Sequence, residues 1–171
     1  MTFELPAASE CSEYSTPIKP VMRIVIQRVT RASVTIDNTL VSSIGPGMMV
    51  LVGVEKEDTP DDAKWLAAKT AALRIFNDAD GVMNRSIIDA GGEILAVSQF
   101  TLTASTRKGN RPSYIRAAGH ELATSLYSLY ASELERLTSR PTAMGVFGAD
   151  MAVSLVNDGP VTIIIDSRLK E

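Results

Sequence analysis

Four short stretches of this 171-residue chain carry side chains or backbone that could do chemistry. The first is Ser98-Gln99-Phe100-Thr101, three polar residues grouped where an apolar strand runs out. Such groups need hydrogen-bond partners when they leave water. They are either strand-end residues meeting solvent and backbone, or the floor of a pocket whose backbone N–H groups could bind a carbonyl oxygen. The second is Asn157-Asp158-Gly159-Pro160-Val161-Thr162. Asn, Asp, Gly and Pro all favour turns, so a hairpin is one reading. The other is a rigid wedge of bare backbone, since Pro160 offers no N–H and Gly159 has no side chain to keep neighbours away. The third is the basic group Arg107, Lys108, Arg111 and Arg116, either a solvated loop and helix start or a set of phosphate contacts for a short RNA end.

The fourth candidate is the only histidine, His120. A Ser-His-Asp enzyme would need it. It lies two residues from Leu122 on an expected helix, about 200° around the wheel, and should face solvent. No G-x-S-x-G, Walker or G-x-G-x-x-G pattern occurs. The sole cysteine, Cys11, excludes an internal disulfide, and one His with one Cys argues against a His/Cys metal site. Acid–base chemistry by side chains is not plainly written in this chain.

Elements must position these residues. Arg23–Val29 and Ser33–Asp37 alternate as two strands, and Met48–Val54 is an apolar run of strand length that should be buried on both faces. Thr59 as N-cap, Pro60 at N1, Asp61 and Asp62 open a first helix. Its stripe is Trp65, Leu66, Leu73 and Phe76, with the Lys69 stem lying along it. A short strand pair over 82–88 follows, then a central strand Glu93–Thr103. Ser113 opens a long helix through Ile115, Leu122, Leu126, Leu129 and Leu137, ended by Pro141. Strands 143–147, 151–156 and 161–166 complete an α+β domain, with antiparallel sheet covered by two main helices.

Composition is that of one globular domain, 45% hydrophobic and 22% charged. A net charge of -3 argues against a protein that grips long nucleic-acid backbones, DNA included, but leaves room for one that holds a single RNA end. No apolar run approaches the roughly 20 residues that span a bilayer. Residues 1–21, with Pro6, Pro17, Pro20, several Ser and scattered acids, read as a disordered extension preceding a single domain over 22–171. They show neither an apolar signal core nor an Arg-rich transit pattern, so a cytoplasmic location is expected.

The blocks Met22-Arg23-Ile24-Val25-Ile26-Gln27-Arg28-Val29, Ser98-Gln99-Phe100-Thr101-Leu102, Lys108-Gly109-Asn110-Arg111-Pro112-Ser113 and Asn157-Asp158-Gly159-Pro160-Val161-Thr162 resemble the D-aminoacyl-tRNA deacylase (D-tyrosyl-tRNA deacylase) family. The likeness spans about 22–168. It implies antiparallel sheets in a barrel-like roll and a homodimer whose active site lies at the subunit interface. It also implies hydrolysis of D-aminoacyl-tRNA, and of glycyl-tRNA, without cofactor or metal. Ser98, Gln99, Phe100 and Thr101 would form the catalytic block, with the Phe100 N–H on the ester carbonyl. Gly159 and Pro160, joined by a cis peptide, would enter the partner's pocket and reject L-amino acids. Phe147 and Met151 would hold the terminal adenine, Asn157, Val161 and Thr162 would border the substrate, and Arg28 would steady the Gly-Pro segment. The 2′-OH of the terminal adenosine would assist attack by water. A non-catalytic tRNA-end or protein-binding module, and an esterase using Thr101 directly, are the competing readings.

Overall fold

The computed structural model describes residues 22–168. The expected extension 1–21, Cys11 included, lies outside the described residues. The spine is one strand, β1 (Arg23–Ile36), rather than two. Its edges carry three antiparallel partners: β2 (Thr39–Ile44), β3 (Gly47–Gly53) and β8 (Ala152–Asp166). A turn at Asp37 and Asn38, both with positive φ, sends the chain from β1 into β2.

The apolar run of β3 is almost wholly buried, as its composition predicts, because it sits mid-sheet between β1 and β6 (Glu93–Ser98). The α+β class holds, but the sheet is mixed: β3 pairs with β6, and β6 with β7 (Thr142–Met144), in parallel. β2 packs back toward β6 and β7, so the sheet curls nearly into a barrel. A two-stranded ribbon, β4 (Phe76–Asn77) with β5 (Met83–Arg85), stands apart.

Helix α1 (Pro60–Ala72) begins where Thr59 and Pro60 place it, with the Asp62 carboxylate accepting from the Thr59 N–H at 2.9 Å and hydroxyl at 2.7 Å. It ends before Leu73, four residues short of the expected Phe76, and Phe76 joins β4. Its buried face is Ala63, Leu66, Ala67, Thr70 and Ala71, small residues apart from Leu66 that let α3 (His120–Thr138) approach, while Lys69 lies over the Trp65 ring. A short helix α2 (Ile87–Ala90), capped by Ser86, occupies the end of the stretch expected as strand.

The long helix starts at His120, not Ser113, behind Gly119 as N-cap. Ile115 is 73% exposed, so the apolar stripe expected to include it begins later. The helix buries Ala123, Leu126, Tyr127, Tyr130 and Leu134. Tyr130 meets the Thr70 hydroxyl at 2.8 Å and closes the α1–α3 seam with a satisfied polar pair. One core lies between sheet and helices, around Ile24, Ile26, Val50, Leu66 and Leu126. A second fills the curl of the sheet, around Val34, Met49, Leu95 and Val97.

Candidate active site

β6 stops at Ser98, and Phe100–Thr103 form a 3₁₀ turn instead of continuing the strand as expected. The turn is bolted to β3: Gln99 N–H donates to the Val52 carbonyl at 2.7 Å. Gly53 makes this possible, because a Cβ there would come 2.8 Å from Leu102 Cβ and 3.1 Å from the Gln99 carbonyl. The N–H of Phe100, at the start of the turn, has no hydrogen-bond partner among the described residues.

This turn floors a cavity of about 350 Å³ outside the carboxyl ends of the parallel pair β3 and β6. Ser98, Gln99 and Phe100 line it with Phe147 and Met151, so five of the residues singled out by sequence share one pocket. Ala118, Ala123 and Tyr127 form the back wall, and Asp150 sits at the rim. The Phe147 ring meets His120 edge-on at 5.1 Å and tilts against Tyr127 at 6.1 Å. His120 is exposed, as expected, and is not among the lining residues.

Thr101 does not line the cavity; its hydroxyl accepts a 2.6 Å bond from Gln99 Nε2. The Tyr127 hydroxyl donates to the Ala96 carbonyl at 2.8 Å, and burial pushes its pKa up to about 12. It is therefore a fixed donor at neutral pH. Tyr127, Ala123 and Ala118 were not read from sequence as wall residues. The i, i+4 spacing of Ala123 and Tyr127 on one helical face was the available signal.

The remaining residues gather elsewhere. Between Gln27 and Val29 of β1, which pair with Thr162 and Asn157, β8 sets four residues, Asp158 to Val161, opposite the single Arg28. These four bulge out of a strand that otherwise runs through, so no hairpin forms. Asn157 Oδ1 accepts the Val161 N–H at 3.0 Å, and Asn157 Nδ2 donates to Thr162 Oγ1 at 3.2 Å, closing the bulge on itself. The Gly159–Pro160 peptide is cis, and both residues are exposed.

Arg28 holds this bulge from below. Period-2 alternation puts it on the same face as Ile24 and Ile26, where it is 7% exposed. Its Nε meets Asp158 Oδ2 at 2.9 Å and the Asp158 carbonyl at 3.3 Å, while Nη1 donates to the Ile75 carbonyl at 2.6 Å and to Asn77 Oδ1 at 3.3 Å. Gly159 has φ +120°, and a Cβ there would lie 3.0 Å from Arg28 Nη2. Arg28, Asn157, Gly159, Pro160, Val161 and Thr162 thus form one cluster. None of them lines the pocket of their own chain. Among the described residues, no group of three or more His, Cys, Asp or Glu could hold a metal ion, and no helix is long and apolar enough to cross a membrane.

Residues 25–166 match the family model described as D-Tyr-tRNA(Tyr) deacylase. The chain is 58% identical over 150 residues to a "D-aminoacyl-tRNA deacylase" of Parabacteroides distasonis, covering 88% of this chain and 100% of that one. A protein of the same description from Akkermansia muciniphila is 57% identical over the same shares. Of solved structures, one described as "c-Myc DNA Unwinding Element Binding Protein" superposes with a TM-score of 0.79 at 41% identity, covering 84% of this chain and 97% of that one. A "probable eukaryotic D-amino acid tRNA deacylase" superposes at 0.74 with 16% identity, over 85% and 99%, which speaks to fold alone.

Proposed function

The chain belongs to the D-Tyr-tRNA(Tyr) deacylase family, and on that premise we propose that it hydrolyses the ester of D-aminoacyl-tRNA, releasing free D-amino acid and tRNA. The observation that carries the detailed reading is the separation of two halves of a site within one chain. The exposed Gly159–Pro160 bulge does not line this pocket of its own chain. A homodimer in which each chain lends its bulge to the other's pocket joins them.

In that arrangement the terminal adenosine lies against Phe147 and Met151, and the ester carbonyl accepts the open N–H of Phe100. Backbone of Gly159 and Pro160 borders the Cα, with Asn157, Val161 and Thr162 beside it. An L side chain meets main chain that Arg28 and Asn157 keep from yielding, while a D side chain points away. Discrimination by exclusion ignores side-chain identity and lets glycine through, so glycyl-tRNA is a second substrate.

Water attacks the ester carbon, the C–O bond to the ribose breaks, and the ribose oxygen takes up a proton. The Phe100 N–H stabilises the charge that develops on the carbonyl oxygen. Asp150, at the rim, and Tyr127 are the lining residues with acid or base side chains, and Tyr127 is committed to the Ala96 carbonyl. This supports substrate assistance, in which the neighbouring 2′-OH orients the water and relays the proton while the protein supplies position. Such a reaction belongs beside translation in the cytoplasm and needs no cofactor.

The test incubates the protein with D-Tyr-tRNA, L-Tyr-tRNA, Gly-tRNA and D-Tyr-tRNA ending in 2′-deoxyadenosine. Release from the D and glycyl esters only, with strong slowing on the deoxy substrate, is expected. Equal cleavage of both enantiomers ends the exclusion reading, and undiminished cleavage of the deoxy ester ends substrate assistance. Sedimentation at assay concentration must show two chains per particle.

A further inference from the structure

Apart from Ala118 on the pocket wall, the segment from the 3₁₀ turn to α3 has no part in the pocket chemistry above. Between Glu93 and Glu121 the chain contains no Asp or Glu, though the protein as a whole has 20 acidic against 17 basic residues. Within that stretch residues 105–113 fold into an arm. Ser105 and Ser113 clamp its base with two backbone bonds of 2.8 and 2.9 Å, and the chain reverses at Gly109, φ +74°. Arg107, Lys108 and Arg111 lie on the exposed arm, and none makes a hydrogen bond or ion pair among the described residues. By contrast Arg23, Arg28, Arg116, Arg136 and Arg168 each pair with a carboxylate.

Both ends of the arm are fastened to the pocket rim. Tyr114, next to the clamp, meets the pocket residue Phe100 edge-on at 5.0 Å. Arg116 donates to the Thr103 carbonyl at 3.1 Å and pairs with Glu55 at 3.4 Å. Ala118, a pocket-wall residue, is tied to the residue just after β3 by its N–H on the Val54 carbonyl at 3.0 Å. Four residues out and four back allow the tip to reach at most roughly 13 Å from the clamp. Guanidinium, ammonium and hydroxyl donors on an arm that carries no acid of its own suit phosphate oxygens, and Thr106 and Asn110 add neutral donors.

We propose that residues 105–113 are a phosphate-gripping arm that holds the acceptor-stem backbone of an RNA whose 3′ end occupies the pocket. This rests on the deacylase reading for the identity of the RNA. The arm is a fixed, sequence-indifferent handle: it supplies affinity for the whole nucleic acid, while the pocket reads only the terminal residue. It also reconciles an acidic protein with a polyanionic ligand, because three cations without a carboxylate partner sit together on one exposed loop.

The test measures binding of an uncharged acceptor minihelix ending in single-stranded CCA, by fluorescence anisotropy from 50 to 200 mM KCl. The variant Arg107→Gln/Lys108→Gln/Arg111→Gln is compared with a control of equal charge change, Lys64→Gln/Arg74→Gln/Arg136→Gln. Loss of about three phosphate contacts lowers the slope of log K against log salt by roughly 2–3 in the arm variant only. Affinity at the lowest salt falls at least about threefold, the loss expected of three exposed ion pairs. In turnover of D-Tyr-tRNA the arm variant raises KM and leaves kcat and cleavage of D-Tyr-adenosine as in the parent.

Parental slope and affinity in the arm variant overturn the proposal, as do equal losses in the control. Equally tight, equally arm-dependent binding of duplex DNA of the same length overturns the assignment to RNA. The two readings fail separately: arm-dependent RNA binding without D-Tyr-tRNA cleavage by the parent removes the deacylase reading, whereas cleavage with unchanged KM in the arm variant removes the arm.

Discussion

Truncating Arg28 to alanine tests whether the Gly159–Pro160 bulge is held rigid. The side chain is buried and makes four polar contacts, two of them to Asp158 and two to the 75–77 segment. Removing one partner of a fully buried ion pair costs roughly 3–5 kcal/mol, because the other charge stays stranded. Here the Asp158 side chain is about half exposed and regains water, so that part of the cost shrinks. The Ile75 carbonyl, belonging to a buried residue, loses its 2.6 Å partner, which alone costs about 1–3 kcal/mol. Together these give about 2–4 kcal/mol, or a fall in Tm of roughly 4–16 °C for a domain of this size. At 25 °C, where the variant remains folded, D-Tyr-tRNA deacylation falls at least about tenfold, equivalent to about 1.4 kcal/mol of lost transition-state positioning. Arg28→Lys recovers part of the stability, since one ammonium cannot replace the fork that reaches Asp158 and Ile75 together. Calorimetry and single-turnover assays read both quantities. An alanine variant that melts with the parent and cleaves at the parental rate would refute the whole argument for Arg28.

Gly53→Ala forces a methyl against Leu102 and the Gln99 carbonyl, so the pocket floor shifts; overpacking of about 1–3 kcal/mol and a drop in kcat/KM of roughly 10–100-fold are expected, and an unchanged rate in steady-state assay contradicts the close approach. Thr101→Ala keeps deacylation within about threefold of the parent, since that hydroxyl serves Gln99 and lies outside the pocket; a loss of a hundredfold in single turnover would reinstate it as a nucleophile. Asp58 has its carboxyl raised to about 6, chiefly by burial, with the Glu55 N–H bond opposing. The folded state therefore holds a proton that the unfolded chain has released, and stability from this group falls as pH rises from about 4 to about 6. Asp58→Asn removes that decline, so melting curves of parent and variant converge toward low pH and separate above about 6; parallel curves would show that Asp58 does not titrate in this window.

Local rules read some of this molecule well. The apolar run Met48–Val54 and the Thr59-Pro60 helix start are set by neighbouring residues, and both appear where composition places them. Ser98, Gln99 and Phe100 stood out because polar residues ended an apolar strand, and they do floor the pocket. The failures share a cause, which is pairing over long distance. Asn157-Asp158-Gly159-Pro160 carries every local mark of a turn, yet continuous pairing with β1 on both sides turns it into a bulge. The parallel registers β3–β6 and β6–β7 leave no trace in local periodicity. Ser113 and Ile115 fit the helical stripe of α3, but they belong to the arm base and its exposed flank, and moving the helix start hid Ala118 as a wall residue. Thr101 shared the motif but turned aside with the 3₁₀ geometry.

The pairing of β1 with β8 has a consequence for synthesis. The spine of the domain is among its first segments to leave the ribosome, while the strand that covers its second edge is the last. More than a hundred residues separate the two, and at roughly 5–20 residues per second the unpaired edge of β1 waits several seconds for closure. The Gly159–Pro160 bulge arrives on that same late strand. A nascent chain therefore carries the pocket floor before it carries the bulge proposed to exclude L-amino acids, and holds both only when β8 pairs with β1.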